Sequence, residues 1–140
     1  MSAAPIIFQP LYKTRVWGGR VLESRYHRTL PDDQPYGEAW ELVDREDDQS
    51  VVKSGAFEGK TLHDLWTQHR NEVFGSNLPD CERFPILIKI LDCQDDLSIQ
   101  VHPPADLAPS LDGEPKTEMW YLAGVEERAS LYIGFKDGVT

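Results

Sequence analysis

The chain has 140 residues, 40% of them apolar and 27% charged, which is the length and balance of one globular domain with its own core. A net charge of −10 disfavours nucleic acid and anionic membrane surfaces as partners, and no apolar run is long enough to span a bilayer. The same charge means that an anionic ligand needs basic groups gathered locally against the overall field.

The start, "MSAAPIIFQP", lacks the charged head and apolar stretch of a secretory signal. "GEAWELVD" (37–44) and "QSVVKSG" (49–55) read as short strands, with "REDD" as a charged turn between them. One helix follows. Thr61 is placed to cap it with Asp64 three residues on, and Leu62, Leu65, Trp66, His69 and Val73 recur at helical spacing until Gly75 stops it. His63 and His69 read as surface or half-buried helix residues. Cys81 and Cys93 form no spacing motif and read as free thiols of a cytoplasmic protein.

From Phe84 the pattern is β. "RFPILIKILD" is a nearly continuous apolar run, the mark of a strand covered on both faces, with Lys89 in its middle. A lysine there is costly unless its ammonium finds an anion or water. "LSIQVH" (97–102) alternates strictly, so Leu97, Ile99 and Val101 share one face and Ser98, Gln100 and His102 the other. A Pro-rich loop follows, with one helical turn expected at "ADLAPSL". "KTEMWYLAG" and "ASLYIGF" read as further strands.

A metal site accounts for the polar face. Gln100 and His102 stand two apart on one strand. Glu118 comes sixteen residues after His102, on a return strand that also carries Lys116. An imidazole, an amide oxygen and a carboxylate suit Zn²⁺ or another borderline first-row ion. The site stays net positive, which favours an anionic or hydroxyl-rich substrate. Lys89, Ser98 and Lys116 then form a phosphate clamp beside the metal. The same alternation also serves a strand with one solvated face, on which Lys116 and Glu118 are an exposed pair.

"LSIQVHPPAD" followed by "KTEMWY", preceded by "ILIKILD", resembles the type I mannose-6-phosphate isomerases (phosphomannose isomerases), zinc enzymes of the cupin fold. "LYKTRVWGG" and "GEAWELVD" extend the resemblance upstream over nearly the whole chain. The resemblance implies that Gln100, His102 and Glu118 are three of four zinc ligands. It places Lys89 and Ser98 near the substrate phosphate and Lys116 at the active site, as a catalytic residue. The implied chemistry interconverts mannose 6-phosphate and fructose 6-phosphate by moving a proton between C1 and C2 through an enediol.

The family's fourth ligand is a histidine well downstream, with a catalytic arginine further on. No histidine follows His102 in this chain. The expected architecture is therefore mostly β: a cupin-type jelly roll with an N-terminal helix, one domain over 1–140, incomplete at its C-terminal side and open to self-association through its sheet edges. The competing reading from another class is a sugar- or metal-binding cupin module without catalysis.

Overall fold

The computed structural model describes residues 5–134 and 136–139. They group into two compact units, Met1–Ser98 and Ile99–Thr140. The first holds all the strands that are formed among the described residues.

In chain order the first unit contains β1 (Phe8–Gln9), β2 (Leu11–Gly19), a one-turn helix α1 (Val21–Ser24), β3 (Tyr36–Leu42), β4 (Val51–Val52), α2 (Leu62–Gln68), α3 (Arg70–Phe74) and β5 (Ile88–Leu91). β1 and β4 make a two-stranded antiparallel ribbon. β2, β3 and β5 make a three-stranded antiparallel sheet with β3 in the centre. Strand content with antiparallel pairing agrees with the mostly β expectation.

The register of the larger sheet decides what each face carries. Tyr12, Ala39 and Ile90 stand abreast across β2, β3 and β5. Their face is covered by Leu22 and Leu30, which with Tyr36 and Ala39 form a buried cluster that Tyr12, Tyr26 and Ile90 complete. Side chains one position along point the other way. Leu11, Trp40 and Lys89 form one such row and Lys13, Glu38 and Leu91 the next. Close approach of β2 to β3 depends on glycine: a Cβ on Gly18 would lie 2.4 Å from the Gly37 nitrogen, so a side chain there would force the strands apart.

"GEAWELVD" forms the central strand as read, whereas "QSVVKSG" keeps only Val51–Val52 as strand. Thr61 caps α2 in a full capping box with Asp64, and Gly75 ends α3 at φ 86°, ψ −163°, a conformation open essentially to glycine. The single expected helix is instead two. His69 leaves helical geometry at φ −123° while its ring packs edge-on against Phe57 at 4.9 Å. Leu62, Leu65 and Trp66 are buried as the spacing predicts. Trp66, Phe74 and Phe84 then meet at ring-centroid distances of 5.2, 5.4 and 5.3 Å, which fastens α2 and α3 to the segment entering β5.

Two expectations need correction. The run "RFPILIKILD" is not covered on both faces. Only Ile88–Leu91 pairs, at the edge of the sheet, and Ile86 and Ile88 stay half exposed. Nor do "LSIQVH", "KTEMWYLAG" and "ASLYIGF" form strands among the described residues (Phe135, in the last, lies outside them). The alternation of Ile99 and Val101 marks a face suited to burial, yet these residues are 89% and 70% exposed. A strand exists only through the hydrogen bonds of a neighbour, and periodicity supplies no neighbour. Among the described residues the one regular element of the second unit is a 3-10 turn at Ala108–Leu111, inside "ADLAPSL" where a helical turn was expected.

Candidate active site

The polar face of the β2–β3–β5 sheet is built around one carboxylate. Glu38 is nearly buried, because β3 is the central strand. Its Oε2 accepts from Arg15 Nη2 at 3.0 Å and from the Trp40 indole at 2.7 Å, and its Oε1 lies 3.7 Å from Lys89 Nζ. Lys13 reaches into the neighbouring row to stand 4.8 Å from the Trp40 ring centroid, while its ammonium pairs with Asp48. The lysine that looked out of place in an apolar run thus projects from the face opposite the core and has its anion. Two cations and an indole N–H on one carboxylate make a rigid, positively biased surface.

In the second unit Lys116 is the joint. Its Nζ is 2.6 Å from Glu118 Oε1 and 3.5 Å from His102 Nε2. An imidazole nitrogen and a carboxylate oxygen therefore both face one cationic centre. Both side chains are of types that bind a borderline divalent ion, and here both contact the lysine ammonium. Among the described residues no group of three or more His, Cys, Asp or Glu side chains gathers around one point. The expected set contains only two of these types, its third member being the amide of Gln100. The donor chemistry fits a borderline divalent ion on those terms.

Of the six residues singled out from sequence, the structure brings His102, Lys116 and Glu118 together in the second unit, where Gln100 also lies. Lys89 and Ser98 belong to the first. Arg15, Glu38 and Trp40 were missed. The signal was present in "GEAWELVD", where Glu38 and Trp40 flank Ala39 on a buried strand. His63 is a helix-surface residue as read, and its Nδ1 lies 3.2 Å from the carboxylate of buried Asp44, which also accepts from Phe84 N at 2.8 Å and Gln49 Nε2 at 2.7 Å. Asp44 thereby ties the start of α2 to the segment ahead of β5.

The family model for the phosphomannose isomerase type I catalytic domain matches residues 6–123. The chain belongs to the type I phosphomannose isomerase family. Among its relatives, mannose-6-phosphate isomerase ManA of Bacillus subtilis (strain 168) is 41% identical over 136 residues, which is 96% of this chain and 42% of that protein. The putative mannose-6-phosphate isomerase YvyI of the same organism is 39% identical over the same shares. A crystal structure of mannose 6-phosphate isomerase from Bacillus subtilis superposes with a TM-score of 0.70 at 37% identity, covering 79% of this chain and 34% of that one. The chain thus spans about two fifths of the length of these family members.

Proposed function

We propose that this chain is the N-terminal part of the catalytic domain of a zinc-dependent, cytoplasmic mannose-6-phosphate isomerase of cupin jelly-roll type. The observation that carries the reading is the placement of His102 Nε2 and Glu118 Oε1 on a single cation, Lys116 Nζ, in a family segment running from residue 6 to residue 123. In this reading Gln100, His102 and Glu118 hold the ion. When bound, zinc supplies Lewis acidity toward a sugar oxygen.

The chain's own residues do the rest. Lys89, fixed at its root by β5 and backed by the Glu38 cluster, presents a positive charge to the substrate phosphate, with the Ser98 hydroxyl as a second donor. Lys116 holds a proton at Nζ and donates it to the sugar oxygen on which charge develops as a proton passes between C1 and C2. The phosphorylated hexose is the ligand that both charges favour in a chain of net charge −10.

The test is zinc content and isomerase turnover of a polypeptide of full family length, wild type against His102→Ala. Joint loss of bound zinc and of mannose 6-phosphate conversion is expected. Unchanged zinc content in His102→Ala would remove this residue from the ligand set.

A further inference from the structure

A second concentration of positive charge lies in the first unit, in a cleft of about 300 Å³ lined by none of the residues of the Glu38 cluster. Gln9 lines it from β1, Tyr12 from β2, His27, Arg28 and Thr29 from the segment after α1, and Lys53 from the end of β4. Three of these are basic, and no aspartate or glutamate lines the cleft, in a chain with 24 acidic residues against 14 lysines and arginines. The volume matches the lower end of small-molecule sites.

The backbone holds these groups in place. Lys53 N donates to Ile7 O at 2.8 Å, Arg28 N to Leu22 O at 3.1 Å and His27 N to Glu23 O at 3.0 Å. Arg28 is anchored by one edge of its guanidinium, with Nη2 on Glu41 at 2.9 Å. Its Nε is buried without a hydrogen-bond partner. The buried Nε is closed to a ligand, but the side chain as a whole is about a third exposed, and a guanidinium edge is a fork of donors suited to an oxyanion. The hydroxyls of Tyr12 and Thr29 and the amide of Gln9 add neutral donors. Burial raises the Tyr12 pKa, so its hydroxyl keeps its proton.

We propose that this cleft binds the phosphate group of a small metabolite, with residues other than those of the candidate active site. Lys53 supplies the accessible charge, and the Arg28 guanidinium and His27 ring the directional donors. The inference stands on the cleft alone and does not depend on the isomerase reading.

The experiment is a titration of a polypeptide of full family length with inorganic phosphate, followed residue by residue through amide chemical shifts. Saturable shifts at His27, Thr29 and Lys53 are expected. The double variant His27→Asn/Lys53→Gln should weaken them about tenfold or more, the ordinary loss when hydrogen bonds to a charged group are removed. Asparagine suits position 27, where φ is +54°. Glycerol 1-phosphate in a parallel titration separates a free ion from a phosphate monoester, the tighter of the two naming the source. Shifts confined to Lys89 and Ser98, or equal saturation in the double variant, would overturn the proposal.

Discussion

Lys89 Nζ on β5 lies 3.7 Å from Glu38 Oε1 on β3, and the same carboxylate accepts from Arg15 at 3.0 Å. The two cations are not equivalent. Both side chains are partly exposed, but Lys89 makes the longer contact whereas Arg15 holds a hydrogen bond. Removing Lys89 leaves Glu38 paired, whereas removing Glu38 leaves two cations facing each other.

The first prediction follows from that asymmetry. Lys89→Met should change stability by less than about 1 kcal/mol, the usual worth of a partly exposed pair. Glu38→Ala should cost about 2 kcal/mol, because it leaves the Trp40 indole N–H and the Arg15 guanidinium without their acceptor. Urea midpoints of the two variants check the ordering, and equal losses would contradict it. In sugar binding, Lys89→Met should weaken phosphorylated ligands and spare unphosphorylated ones while keeping the metal. An equal loss for both would remove Lys89 from the phosphate site.

A second prediction concerns the cation shared by His102 and Glu118. Each of His102→Ala, Glu118→Gln and Gln100→Leu should lower zinc affinity at least about tenfold, since even outer groups of metal sites cost that much. Competition with a chromogenic chelator measures it. If Gln100→Leu binds zinc as tightly as wild type, the amide is not a ligand.

The third prediction tests the helix cap. Asp64 Oδ2 accepts from Thr61 N at 2.9 Å and from the Thr61 hydroxyl at 2.8 Å. These bonds, the backbone one first, hold the Asp64 carboxyl below its ordinary value of 3.8. A lowered folded pKa stabilises fully above the unfolded value, and the gain is lost as pH falls through the folded one. Asp64→Asn should therefore lose stability at pH 7 and show a flatter decline below pH 4 than wild type. Thr61→Ala should cost about 1 kcal/mol at pH 7. Parallel denaturation curves at pH 7 and pH 3 distinguish the two.

The fourth prediction concerns the 140 residues in isolation. Ile99, Val101, Tyr121 and Ile133 are largely exposed, and β5 is an edge strand. Exposed apolar surface and open edges invite association. Sedimentation should show concentration-dependent self-association, and unfolding should be shallow. Conversion of mannose 6-phosphate with added zinc should stay below about 1 s⁻¹, the low end of ordinary enzymes. A monodisperse chain that turns over faster would mean the site is sufficient as it stands.

What could be read from sequence alone is local. The Thr61–Asp64 box, the stop at Gly75, the central strand in "GEAWELVD" and the helical turn in "ADLAPSL" each rest on residues a few positions apart, where spacing and side-chain chemistry suffice. His102 and Glu118 both lie against Lys116, although the return strand expected to bring them together is not formed among the described residues. Contacts across the sheet were a different matter. Glu38 meets Lys89 because β5 pairs beside β3 in one particular register, and a shift by one residue would turn Lys89 to the opposite face. Asp44 binds Phe84 N from 40 residues away and thereby gives His63 a partner that no helical period announces. The alternating runs after residue 96 mark the same boundary from the other side. Periodicity told which side chains share a face, and only tertiary structure decides whether anything lies against it, because a ladder of hydrogen bonds belongs to two strands and not to one.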